Sequence, residues 1–113
     1  MIAQYGIENV TKMLAPEELK LVVISSGKEK SRYPEEYLLY GEEIRRYSVA
    51  LTALRDICDE ITRRGRSGIV MPRIIVSIDD PYALIMRCRD DEVRRLLRVI
   101  YARGINCGVE LCA

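Results

Sequence analysis

Apolar residues recur along the chain with two different periods, and each period predicts a type of secondary structure. From Glu42 to Arg64 they step by three and four, the spacing of a long amphipathic helix that Gly65 is expected to end. The same spacing predicts a short helix over residues 7–15. That helix would form an N-terminal extension, residues 1–18, to the rest of the domain.

A second amphipathic helix is predicted after Asp90, whose side chain suits the helix cap, and Gly104 is expected to close it. Acidic residues in its first turn complement the positive end of the helix dipole. Its predicted buried stripe has the spacing i, i+3, i+4, i+7, i+8 and consists of Val93, Leu96, Leu97, Ile100 and Tyr101.

Four other segments have the patterns of β-strands. Residues 19–26 are almost continuously apolar and β-branched, which is typical of a strand covered on both faces. Residues 73–79 and 82–88 flank an Asp-Asp-Pro turn and predict an antiparallel hairpin. Residues 105–112 form the last predicted strand, and the polar stretch 27–36 is expected to be a loop.

After the N-terminal helix, the predicted order is β-α-β-β-α-β in a single domain that spans residues 1–113. This is the ferredoxin-like α+β sandwich, with an antiparallel sheet that helices cover on one face. The opposite face would carry Ile75, Ala83 and Ile85, an apolar set that predicts an interface with a second copy, a partner protein or a small ligand. The alternative is that the N-terminal helix covers part of this face.

The distribution of charge is more informative than the net charge of +1. Between Arg63 and Arg103 the chain has ten arginines, five acidic residues and no lysine. Arginine binds phosphates and carboxylates with a rigid, bidentate fork, which favours a nucleic-acid partner. A thermophilic source is the alternative explanation, because a chain rich in Arg and Glu and poor in Asn and Gln is typical of heat-stable proteins.

The chain has no apolar run long enough to cross a membrane and begins with no secretion signal, so a cytoplasmic protein is expected. The cysteines form no C-x-x-C pair, and there is no histidine to complete a zinc site or a Cys/His nucleophile. We expect the cysteines to be buried free thiols, and an internal disulfide is the alternative. The four cysteines are Cys58, Cys88, Cys107 and Cys112.

Catalysis by this chain alone is not expected, and neither is a cofactor. Asp79–Asp80 and Asp90–Asp91 are acidic pairs, but a turn and a helix cap explain them better than a metal site does. No glycine-rich phosphate loop follows a strand. Tyr82 is the one aromatic residue of the predicted hairpin, which argues against base stacking on the sheet.

Contact with the phosphate backbone of RNA is the remaining binding mode. Arginines lie at the end of the predicted hairpin, around the loop before it, and on the last helix outside its apolar stripe. Together these positions predict one continuous basic band that contacts phosphates. The alternative is a solvated helix face with arginine stems lying over the core. The predicted RNA-binding residues are Arg63, Arg64, Arg66, Arg73, Arg87, Arg89, Arg94, Arg95 and Arg98.

The segment "RIIVSIDDPYALIMRCRDDEVRRLLRVIYARGINCGVEL" resembles the small RRM-like protein subunit of archaeal and eukaryotic ribonuclease P. The patch Ile85–Arg89 carries most of the resemblance, followed by Asp91 and the apolar stripe. The resemblance implies a non-catalytic subunit that binds RNA through Arg87 and Arg89. It also implies a larger barrel-shaped protein partner and an RNA catalyst that removes the 5′ leader of precursor tRNA. The alternative function is a homodimeric interaction module, or a small-ligand regulatory module, with no nucleic acid.

Overall fold

The computed structural model describes residues 11–26, 33–88 and 91–112. The predicted helix start at 7–10, residues 27–32 of the predicted loop, the cap residue Asp90 and the site residue Arg89 lie outside the described residues. The strands are β1 (Leu19–Ile24), β2 (Arg73–Ile78) and β3 (Val109–Cys112). The α-helices are α1 (Tyr47–Ser67), α2 (Pro81–Cys88) and α3 (Asp91–Arg103), and short 3₁₀ helices span Glu35–Tyr37 and Gly104–Cys107.

The strands form a three-stranded parallel sheet in the order β1-β2-β3. Helix α1 connects β1 to β2, and α2 and α3 connect β2 to β3, because parallel neighbours need a long crossover connection. Every residue of β1 except Lys20 is buried, which agrees with the prediction of a strand covered on both faces.

The ferredoxin-like fold with an antiparallel sheet is therefore wrong, although helices and strands are both present. The cause is the segment after β2, which forms α2 instead of the second strand of a hairpin. Asp80 accepts a hydrogen bond from the backbone N–H of Ala83 at 2.9 Å, and Pro81 is the first helical residue. The sequence Asp-Pro can begin a helix as well as form a turn, and the short apolar run after it fits either a helix or a strand. Sequence spacing alone therefore does not distinguish the two structures.

The bounds of two predicted elements also differ from the structure: the last strand begins at Val109 instead of residue 105, and the first long helix begins and ends later than predicted. Helix α1 begins at Tyr47 because the preceding chain is held along the edge of β1. The N–H of Ile44 donates to the backbone oxygen of Val23 at 2.7 Å, and the backbone oxygen of Ile44 accepts from the N–H of Ser25 at 2.9 Å. The helix continues past Gly65 and ends where Gly68 takes a left-handed conformation. At 21 residues α1 is the longest helix, but no helix in the described ranges has the length and apolarity to cross a bilayer.

Each face of the sheet has its own apolar cluster. On one face, Val22 and Val76 pack beneath the three α-helices. On the other face, Ile75 lies under the segment that contains Tyr37 and Leu38. The hydroxyl of Tyr37 donates to the backbone oxygen of Leu14 at 2.6 Å. This hydrogen bond links the segment that covers the second face to the chain before β1. The predicted open face is therefore closed at Ile75, which is 1 % exposed.

Candidate nucleic-acid interface

Helix α3 separates an apolar side from a basic side. On the apolar side, Val93, Leu96 and Ile100 are buried in the cluster between the helices and the sheet. Three arginines lie on the remaining surface of the helix and are exposed, as the amphipathic spacing predicts. The three are Arg94, Arg95 and Arg98. Together with Asp91 and Glu92 they line an open cleft of about 630 Å³.

Of the two acidic residues in the first turn of α3, Glu92 is already ion-paired. Arg55 of α1 donates two hydrogen bonds to the carboxylate of Glu92, at 2.5 and 2.8 Å. This bidentate pair, with a smaller contribution from Arg95, lowers the pKa of Glu92. In the described part of the chain, no carboxylate forms an ion pair with Arg94 or Arg98. Among the described residues, these two guanidinium groups therefore have no carboxylate partner that would compete with a ligand.

Arg87 lies apart from this row, at the end of α2. Its guanidinium is 5.7 Å from the centre of the Tyr47 ring at the start of α1, within the range of a cation–π contact. Because the residue is exposed, its donors still reach solvent. Arg66 is also exposed, near the end of α1.

Arg64 has a structural role that excludes it from a binding surface. The residue is 2 % exposed. Its guanidinium donates to Glu60 at 2.9 Å, to the backbone oxygen of Cys107 at 2.9 Å and to that of Pro72 at 2.7 Å. It thereby joins α1 to the chain segments that precede β2 and β3.

Two more of the predicted arginines are ion-paired within the protein. Arg63 donates two hydrogen bonds of 2.7 Å to Glu60. The hydrogen bond from Arg63, with a further one from Arg64, lowers the pKa of Glu60 to about 2. Arg73 pairs with Glu110. Since Ile74 faces the helices, Arg73 projects from the opposite face of the sheet, so the predicted residues do not form one continuous band.

No protein-family model, curated protein or solved structure matches this chain. Evidence about its function comes from the arrangement of its own side chains.

The other predicted interface residues are distributed over two elements. Ile75 is buried in β2, whereas Ala83 and Ile85 belong to α2 and are half-buried. Ile85 packs against the cluster on the helical face of the sheet. These three residues therefore share no common exposed surface.

The acidic residues after β2 hold local structure. Both oxygens of Asp79 accept the backbone N–H of Ser26, at 3.1 and 3.0 Å, and one also accepts its hydroxyl at 3.1 Å. Asp79 thus links the carboxyl ends of β1 and β2, while Asp80 caps α2. Within the described ranges, no group of three or more Asp, Glu, Cys or His side chains is placed to hold a metal ion.

Sequence reasoning missed one aromatic residue of the basic surface. Tyr101 was predicted to be buried but is 62 % exposed. The apolar side of α3 is already filled by the residues up to Ile100, and Tyr101 lies at its border, three residues beyond Arg98. The signal was available in the spacing, because positions 94, 98 and 101 share one face of a helix.

Proposed function

We propose that this chain is a non-catalytic RNA-binding protein that holds the phosphate backbone through the basic row of α3, Arg94 and Arg98. The observation that carries this proposal is that both arginines are exposed and that no carboxylate among the described residues forms an ion pair with either of them. Glu92, in the first turn of the same helix, pairs with Arg55 of α1.

The geometry of the row suits a chain of phosphates. Residues four apart on a helix lie on one face with their Cβ atoms about 5–6 Å apart, so two guanidinium groups can contact neighbouring phosphates. Each guanidinium offers parallel N–H donors to the oxygens of a phosphate. Arg95 adds a third positive charge to the same cleft. With a net charge of only +1, the attraction depends on this local arrangement.

A narrower role is support of precursor-tRNA processing as a ribonuclease P protein subunit. Its support is the sequence patch Ile85–Arg89, since the parallel sheet differs from the RRM-like sheet that the resemblance implies. Within that patch, Arg87 is exposed at the end of α2. This role would place the chain beside a larger protein subunit and a catalytic RNA.

We also propose that the protein is cytoplasmic. Its cysteines, Cys58, Cys88, Cys107 and Cys112, are free thiols. A reducing cytoplasm maintains cysteines in this state.

The basic row is tested by replacing both of its members, Arg94→Ala with Arg98→Ala. Affinity for a fluorescently labelled single-stranded RNA is measured by anisotropy at fixed salt. We expect the double variant to bind at least about tenfold more weakly, because two charge-assisted contacts to phosphate are lost. Both side chains are exposed, so the variant should fold as the parent protein does.

The matched control is Arg63→Ala with Arg73→Ala, which removes the same charge from arginines that are paired with Glu60 and Glu110. We expect the affinity of this control to stay within about twofold to threefold of the parent protein. If both double variants weaken binding equally, RNA contacts no particular row and the proposal is wrong. If the parent protein binds no RNA at all, the proposal is also wrong.

A further inference from the structure

An exposed tyrosine extends the basic row of α3 toward the end of the helix. Tyr101 is 62 % exposed and lies three residues after Arg98, so its ring occupies the same face as the two arginines. From Arg94 to Tyr101 the helix rises by about 10 Å. The face therefore presents two phosphate-binding groups followed by one aromatic ring.

The other described tyrosines do not offer a ring to this surface. Tyr33 and Tyr37 are buried in the cluster beneath the second face of the sheet. The hydroxyl of Tyr40 donates to Asp56, and Arg87 lies over the ring of Tyr47.

Tyr82 is also exposed, at 71 %, but it lies on a different helix. Its neighbour one turn along α2 is Met86, which has no charge, so phosphate-binding groups are absent from that strip of α2. Among the described tyrosines, Tyr101 alone combines an exposed ring with a row of arginines, on its own face, that pair with no described carboxylate.

We propose that this face binds single-stranded nucleic acid, with Tyr101 stacking on an unpaired base while Arg94 and Arg98 contact the backbone beside it. This inference rests on the proposed function and specifies its ligand. An aromatic ring next to cationic groups is the usual platform for single strands, because every unpaired base has a face that can stack. A duplex keeps its bases inside and offers the ring nothing to stack on.

The test compares three labelled probes: an oligouridylate of about twelve nucleotides, the same ribose-phosphate chain without bases, and the duplex of the oligouridylate with oligoadenylate. We expect Tyr101→Ala to weaken binding to the oligouridylate about tenfold. Its affinity for the abasic chain and for the duplex should change less than twofold. Tyr101→Phe should bind like the parent protein, since phenylalanine keeps the stacking face. Unchanged thermal melting of both variants shows that they fold.

The outcomes separate this inference from the proposed function. If Tyr101→Ala binds all three probes like the parent protein while Arg94→Ala with Arg98→Ala weakens all three, the stacking role is wrong and backbone binding stands. If Tyr101→Ala weakens the abasic chain as much as the oligouridylate, the stacking role is also wrong. If the parent protein binds none of the probes, both proposals fail.

Discussion

The role of an arginine in this protein depends on which acceptors surround it. Arg64 and Arg94 are the same residue type on amphipathic helices, but Arg64 is buried among three acceptors, whereas Arg94 is exposed and forms no ion pair with a described carboxylate. Sequence spacing predicted that Arg94 is exposed. It could not predict the burial of Arg64, because one of its acceptors, the backbone oxygen of Cys107, is 43 residues away along the chain.

Replacing Arg64 tests the structural role assigned to it. Arg64→Ala should lower the free energy of unfolding by about 2–4 kcal/mol, because two backbone oxygens and the carboxylate of Glu60 lose a buried donor. Arg64→Lys should restore little, since a single ammonium group cannot reproduce the three-way contact of the guanidinium. Urea denaturation followed by circular dichroism measures both changes.

Arg63→Ala is the control, because it removes an exposed arginine from the same carboxylate of Glu60. Exposed ion pairs contribute about 1 kcal/mol or less, so this variant should stay close to the parent protein. Equal destabilisation by Arg63→Ala and Arg64→Ala would contradict the structural role of Arg64.

At the scale of secondary structure, one element decides how well the sequence predicts the fold. The helical periods of α1 and α3 and the buried pattern of β1 identify those elements correctly. The segment that forms α2 is short and apolar, so local spacing permits either a strand or a helix. Its Ala, Leu, Met and Arg residues are good helix formers, and this preference together with the Asp80 cap favours the helix.

The turn into β3 is a second element that sequence spacing alone did not place. Residues Gly104–Cys107 form a 3₁₀ helix, and Gly108 then turns the chain into the strand with φ = 79°. A Cβ atom at this position would collide with the backbone oxygen of Val70, in the segment before β2. The close approach of these two chain segments therefore requires glycine here.

Gly108→Ala is expected to destabilise the protein by about 2 kcal/mol or more, through the left-handed conformation and the collision with Val70 together. Gly68→Ala is the matched control, since Gly68 has φ = 74° and open space where its Cβ would lie. Thermal melting should show a clearly larger loss for Gly108→Ala. Equal losses would mean that conformation alone, and not the close approach, requires Gly108.

At the scale of the whole molecule, the parallel sheet determines which surfaces remain for binding. The α-helices cover one face, and the segment around Tyr37 and Leu38 covers the other, so the apolar interface predicted for an open sheet does not exist at Ile75. The direction of β3 follows from the two helices that precede it, and a single misassigned segment was enough to reverse it. The basic face of α3 was predictable because it depends on local spacing alone.

The measurement that tests the central claim most directly is the salt dependence of RNA affinity for the parent protein and for Arg94→Ala with Arg98→Ala. Each phosphate contact on a single strand contributes about 0.7 to the slope of log affinity against log salt concentration, because a bound counterion is released. We predict that the double variant has a slope smaller by about 1.4, as expected for two lost contacts. An unchanged slope would show that Arg94 and Arg98 do not touch phosphate and would contradict the account.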